Sequence, residues 1–246
     1  MSRLPRNALA MMLLVAAVFV TMTARADELK RVLAFGDSLT WGAQPAKHGK
    51  LKRLPVSGRW PGAMQAALGK DYAVTEEGLN GRTVDVPDGK PQPPNGESLD
   101  GSAALPGILA RGEPFDIVVI MLGSNDVNPQ YDRTPARIAE GMDKLVRMVK
   151  DMHGGVTTFD TSPKVLIVAP PPLAVPAVAN DAVVAAVDKS RQLAQAYAAV
   201  AAKEHVEFFD AGAVIQTDGV DGVHLSRGSQ QALGRAIAEK VRAMSK

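Results

Sequence analysis

Five short runs rich in β-branched and other apolar residues, separated by stretches of helical pattern, constrain this chain more than any other feature. They fall at 31–35 (RVLAF), 72–76 (YAVTE), 116–122 (DIVVIML), 164–170 (KVLIVAP) and 206–210 (VEFFD). Several are continuously apolar, the pattern of strands buried on both faces. Between them, the segment TPARIAEGMDKLVRMVKDM carries Thr134 as an N-cap, Pro135 as the first helical residue, and Ile138, Met142, Leu145, Val149 and Met152 at three- or four-residue spacing. Weaker helical patterns cover 181–204 and 230–244, and a shorter one 61–68. Strands alternating with helices predict a parallel, doubly wound sheet of these five strands, joined by right-handed crossovers.

Two stretches break the pattern. Residues 86–101 (VPDGKPQPPNGESLDG) and 153–163 (HGGVTTFDTSP) are rich in Gly, Pro, Asn and Asp and read as loops, the first long enough to serve as a lid or an interface. At the N-terminus, Arg3 and Arg6 precede an apolar run from Ala8 to Val20, and Ala24-Arg25-Ala26 forms an A-x-A cleavage pattern. These are the parts of a secretory leader, residues 1–26, and the run is too short for a span of roughly 18 to 20 residues. The expectation is therefore a periplasmic or secreted protein that begins at Asp27, forms one domain over 27–246 and keeps no stable membrane anchor.

The leader also carries the excess of positive charge. The whole chain has 28 Lys and Arg against 26 Asp and Glu, but three of those arginines lie within 1–26 and no acid does. The remainder is close to neutral, so a nucleic-acid footprint, which needs a strongly basic face, is not expected. The cluster KHGKLKR at 47–53 reads as a solvated loop. The absence of cysteine excludes disulfides, thiolate metal sites, a cysteine nucleophile and a lipidated cysteine.

In an open parallel sheet, ligands bind beyond the carboxyl ends of the strands. The residues there are Gly36-Asp37-Ser38 after the first strand, Gly78 to Arg82 after the second, Gly123-Ser124-Asn125-Asp126 after the third, and a loop containing DGVDGVH after the fifth. Ser38 becomes a nucleophile only if a base takes its proton, usually a histidine held in one tautomer by a carboxylate. The chain has four histidines. His48 lies in the basic loop, His153 suits a helix end, and His205 sits at a helix-to-strand junction; His224 alone has an acid, Asp221, within a turn and lies at the productive sheet edge. Acyl transfer also needs donors aimed at a developing oxyanion. Candidates are the backbone N–H of Ser38 and of Gly81 and the side-chain amide of Asn125.

Four blocks, GDSLTWG with Ser38, EEGLNGRT with Gly81, IMLGSND with Asn125 and DGVDGVH with Asp221 and His224, resemble the SGNH hydrolases, also called GDSL esterases. The resemblance is strongest to the bacterial arylesterase and acyltransferase (perhydrolase-type) branch. It implies a three-layer α/β/α, flavodoxin-like fold, a Ser38–His224–Asp221 triad, an oxyanion hole from Ser38, Gly81 and Asn125, and no metal or cofactor. It further implies small ester substrates with short acyl or aryl groups, acyl transfer to alcohols or peroxide in some members, and homo-oligomers in some. The leader departs from that branch, as does Gly81, where some members carry alanine. Trp41 is a candidate wall of the substrate pocket. The chain lacks G-x-S-x-G, H-E-x-x-H, G-x-x-x-x-G-K and G-x-G-x-x-G, so an α/β-hydrolase, a metalloprotease or a nucleotide enzyme is unsupported. The rival readings are a lysophospholipase, thioesterase or carbohydrate deacetylase on the same scaffold, and a non-catalytic periplasmic binding module.

Overall fold

The computed structural model describes residues 29–44, 52–88, 97–112, 114–152, 162–175, 180–217 and 221–246. The leader, His48, His153 and most of the loops at 86–101 and 153–163 lie outside these residues. The five apolar runs form strands β1 (Lys30–Gly36), β2 (Tyr72–Gly78), β3 (Ile117–Met121), β4 (Lys164–Ala169) and β5 (Glu207–Asp210). They make one parallel sheet in the order β2-β1-β3-β4-β5. The order reverses beside β1, because the chain leaves β1 for β2 on one side and returns to β3 on the other. A crevice opens at such a point, outside the strand carboxyl ends.

Side-chain alternation along the strands divides the core into two layers. Leu33, Phe35, Val118, Ile120, Val165 and Ile167 point to one face. That face is covered by α3 (Gly101–Gly112), α4 (Pro135–Lys150) and α5 (Asp181–Glu204). Val32, Ala34, Val119, Met121, Leu166 and Val168 point to the other, against α2 (Trp60–Leu68) and α6 (Arg227–Met244). Strands β3 and β4 are apolar without interruption because both of their faces are covered.

The predicted N-cap of α4 is present, since the Arg137 N–H donates to Thr134 Oγ1 at 3.2 Å, with Pro135 as the first helical residue. Helix α6 starts three residues earlier than its periodicity indicates, because Ser226 caps it by accepting from the Ser229 N–H. Helix α3 was not foreseen from the sequence. Its stretch GSAALPGILARG carries three glycines and Pro106, which removes a backbone donor inside the helix. Burial of Leu105, Ile108 and Leu109 against the sheet, spaced i, i+3 and i+4, outweighs those local penalties. Among the described residues no helix is long and apolar enough to cross a membrane.

Candidate active site

Strand β1 ends at Gly36, and the chain turns at once into a one-turn helix, α1 (Ser38–Trp41). Asp37 caps it, accepting the Leu39 N–H at 2.8 Å, which leaves the Ser38 N–H without an intrahelical acceptor at the helix start. Two contacts from the adjacent helices fix α1: Gln230 Nε2 of α6 donates to Leu39 O (2.8 Å) and Trp60 Nε1 of α2 to Thr40 Oγ1 (3.2 Å). Ser38 is 5% exposed, so its hydroxyl sits at the floor of the crevice rather than on the surface.

The residues Asp221 to His224 form a tight turn. Asp221 Oδ1 accepts the N–H of Val223 (3.0 Å) and of His224 (2.9 Å), and Gly222 carries φ +76°. Asp221 Oδ2 then lies 2.9 Å from His224 Nδ1, and His224 Nε2 lies 3.1 Å from Ser38 Oγ. A proton on Nδ1, donated to the carboxylate, leaves Nε2 free to accept from the serine hydroxyl. Serine, histidine and aspartate are thus joined in one line of hydrogen bonds across 186 residues of sequence. His205 has no part in it; it is the exposed C-cap of α5, with φ +54°.

The loop after β2 packs against α1. Gly78 has no side chain because a Cβ there would collide with the Trp41 backbone N–H. The Arg82 N–H donates to Leu79 O (3.1 Å), closing a turn that puts Gly81 at φ +85°, the third position of a type II turn. A Cβ on Gly81 has room, with Leu99 3.7 Å away, so the requirement for glycine is conformational. Asn125 reaches this loop from β3: its Nδ2 donates to Arg82 O at 2.9 Å and lies 3.4 Å from Asp37 Oδ2. One N–H of the amide is therefore committed to the loop, and the other makes only a long contact that a ligand oxygen can replace.

Several residues without a role in the sequence reading hold these groups in place. Asp37, 1% exposed, also accepts from the Ser124 hydroxyl, tying α1 to the β3 loop. Burial pushes its carboxyl above the ordinary range, against the hydrogen bonds from Ser124 and Leu39 and the charges of His224 and Arg82. Asp126, 0% exposed, takes the Val84 N–H on both oxygens (3.1 and 3.0 Å) and Arg133 Nη1 at 2.7 Å. Burial raises its carboxyl to about 7 despite those partners. Arg133 spans to Asp85, which Arg137 also contacts. Asp37 lies within GDSLTWG and Ser124 and Asp126 within IMLGSND, and adjacency to Ser38 and Asn125 was the only signal that could have found them.

A cavity of about 280 Å3 opens beside Asn125 and the Asp221–Val223 turn, with Val127, Leu173, Val183 and Val187 as apolar wall; Ser38, Gly81 and His224 do not line it. Trp41 is not among the residues that line it. The Trp41 ring is covered by the Arg53 guanidinium, 5.0 Å from its centre, and its carbonyl accepts Arg53 Nε at 2.8 Å. A larger, shallower depression of about 620 Å3, over residues 212–217 and the start of α6, contains none of the triad candidates. Among the described residues no cluster of three His, Asp or Glu side chains is placed to hold a metal ion.

Comparison with known proteins agrees with this architecture. The family model of GDSL-like lipases and acylhydrolases matches residues 34–232. The native aryl esterase of M. smegmatis is 44% identical, over 87% of this chain and 99% of its own, with a TM-score of 0.81. Est24, a carbohydrate acetylesterase from Sinorhizobium meliloti, is 46% identical over 87% of this chain and 99% of its own, with a TM-score of 0.82. A second S. meliloti structure, a carbohydrate acetylesterase family member, is 38% identical over 87% and 98%, with a TM-score of 0.78. None of the curated proteins compared matches the chain. With the fold, the four blocks and a family match over most of its length, this chain belongs to the GDSL-like lipase/acylhydrolase family, the SGNH hydrolases.

Proposed function

We propose that this protein is an exported serine esterase that cleaves small carboxylic esters through an acyl-enzyme on Ser38. The observation that carries the reading is the unbroken line from Asp221 Oδ2 through His224 to Ser38 Oγ, with contacts of 2.9 and 3.1 Å. In the first half-reaction Ser38 Oγ attacks the ester carbonyl carbon while His224 Nε2 takes its proton. The negative charge on the carbonyl oxygen is met by the Ser38 and Gly81 N–H groups and the Asn125 amide. His224 returns the proton to the leaving alcohol as the C–O bond breaks, and Asp221 stabilises the imidazolium meanwhile. In the second half-reaction water attacks the acyl-enzyme, His224 again serving as base, and the acid leaves. An alcohol or a peroxide in place of water gives acyl transfer by the same steps.

The cavity favours small substrates. At about 280 Å3 it lies just below the usual range for ligand sites, roughly 300 to 1,000 Å3, which suits a short acyl chain or one aromatic ring. A second reading, deacetylation of a carbohydrate, is favoured by the 46% identity to Est24. It uses the same nucleophile and differs in what the leaving alcohol is. Export rests on the leader pattern in residues 1–26.

The test is hydrolysis of p-nitrophenyl esters from acetate upward by the protein from Asp27 onward and by its Ser38→Ala variant, beside acetate release from acetylated glycans. Fast cleavage of the acetate that disappears in the variant supports the small-ester reading. Acetate release from glycans alone moves the substrate to carbohydrates. Equal activity in both proteins sinks the serine mechanism. No reaction of the wild type with any ester or with an organophosphonate supports the binding module.

A further inference from the structure

Arg82 is a buried cation that touches all three segments supplying the proposed oxyanion donors. Its side chain is 0% exposed, and its guanidinium stacks on Phe35, 4.6 Å from the ring centre. Nη1 donates to Gly36 O (2.9 Å) and Glu77 O (2.6 Å), the carbonyl ends of β1 and β2. Nη2 donates to Glu97 Oε1 at 3.0 Å. The backbone of the same residue follows Gly81 directly, and its carbonyl accepts the Asn125 amide at 2.9 Å. One residue thus links the strand end two positions before Ser38, the turn that presents the Gly81 N–H, and the side chain of Asn125.

Stability alone explains this arrangement poorly. Burying a guanidinium is costly, and here its Nε is also buried with no hydrogen-bond partner among the described residues. The charges of Glu97, Glu77 and Asp37 offset only part of that cost, and Glu97, which pairs with it directly, is 43% exposed. An apolar side chain of the same volume fills the space more cheaply but cannot bind two carbonyls at fixed distances. What the guanidinium supplies is geometry: a rigid fork whose Nη1 bridges the ends of two strands.

We propose that Arg82 is a positioning residue for the oxyanion hole, holding the Ser38 and Gly81 N–H groups and the Asn125 amide at the spacing that a tetrahedral intermediate requires. The proposal rests on the esterase reading above. It predicts that loosening Arg82 harms binding of the transition state and spares binding of the substrate.

Arg82→Lys keeps the charge but loses the fork, Arg82→Met loses both, and Glu97→Gln removes only the exposed partner. Each protein, with wild type and Ser38→Ala, is assayed for kcat and KM on p-nitrophenyl acetate and for Ki of phenylboronic acid. The boronic acid forms a B–O bond to Ser38 Oγ, the serine proton passing to His224, and places a tetrahedral oxygen among the donors. Melting temperature reports the fold. Since each oxyanion donor is worth roughly 100- to 1,000-fold in rate, Arg82→Lys should lower kcat by about 100-fold. Its boronate Ki should rise by a similar factor and KM should stay within about 3-fold, with Glu97→Gln near wild type. A well-folded Arg82→Lys protein with wild-type kcat and Ki overturns the proposal. So does loss of the fold in both Arg82 variants, which assigns the residue to structure alone. An active Ser38→Ala protein instead overturns the esterase reading itself.

Discussion

Asp221 holds His224 at two points: Oδ1 accepts the histidine's backbone N–H and Oδ2 meets its ring at Nδ1, both at 2.9 Å. The two oxygens do separate work. One shapes the turn, with Val223 N–H as a second donor, and the other fixes the tautomer of the ring. Asp221→Asn separates the two roles, because an amide oxygen still accepts both backbone N–H groups while the NH2 cannot accept from Nδ1–H. The variant is expected to fold with a melting temperature near wild type and to lose roughly 10^4-fold in kcat, the scale of imposing the wrong tautomer on such a histidine. Asp221→Ala, which also loses the turn, should melt lower. A kcat within about 10-fold of wild type in a folded Asp221→Asn protein removes Asp221 from the mechanism.

In the proposed mechanism Ser38 and His224 act on one proton, so their losses should not add. Ser38→Ala, His224→Ala and the double variant are each expected to fall to about the same residual rate. Steady-state kinetics on p-nitrophenyl acetate measures this directly. A double variant far slower than either single one implies two independent catalytic routes.

Gly81 and Asn125 test the donors in different ways. Asn125→Ala removes an amide and should cost roughly 100- to 1,000-fold in kcat with little change in KM. Gly81→Ala keeps the N–H and has space for its methyl group, but φ +85° is a left-handed conformation. It should therefore lower stability by about 1 kcal/mol, measured by denaturant unfolding, and leave kcat within a few-fold. An inactive but equally stable Gly81→Ala protein shows that this loop sits differently from the structure described.

The apolar wall of the 280 Å3 cavity predicts selectivity. Val183 is half-buried at the start of α5, so Val183→Phe narrows the cavity without disturbing the core. If the acyl limb enters, the kcat/KM ratio of p-nitrophenyl butyrate to acetate should fall about 10-fold, within the 10- to 200-fold range that one methylene can command. If the alcohol limb enters, the ratio of phenyl to methyl acetate falls instead. Neither ratio moving shows that substrate does not reach this cavity.

Much of this was legible in the sequence, and what was not shares a physical cause. Strands β3 and β4 announced themselves as unbroken apolar runs, and α4 by its cap, its proline and its spacing. Ser38, Gly81, Asn125, Asp221 and His224 are brought to one edge because each follows a strand, which the parallel topology dictates. Helix α3 escaped because its glycines and proline are local breakers, overridden by burial of Leu105 and Leu109 that only the tertiary fold supplies. The roles of Arg82 and Asp126 were invisible because an arginine and an aspartate read as surface residues by default. The cavity wall was hidden for the opposite reason: Val183 and Val187 look like ordinary core residues of an alanine-rich helix.

Asp126 predicts a pH dependence of stability whose sign is opposite to that of an ordinary paired carboxylate. Burial raises its carboxyl from 3.8 to about 7 in the folded protein. Between those values the folded state holds a proton that the unfolded state has released, so raising pH favours unfolding across that window. The contribution is full below about pH 4 and is lost as pH rises through about 7. Asp126→Asn, a permanent mimic of the neutral form, should remove the dependence. Denaturant unfolding from pH 4 to pH 8 is the measurement, with the difference between wild type and variant isolating this group from the other carboxylates. The expected result is a wild type that loses ground to Asp126→Asn as pH rises. A wild type that gains on the variant over the same range shows that Arg133, 2.7 Å away, keeps Asp126 ionised throughout.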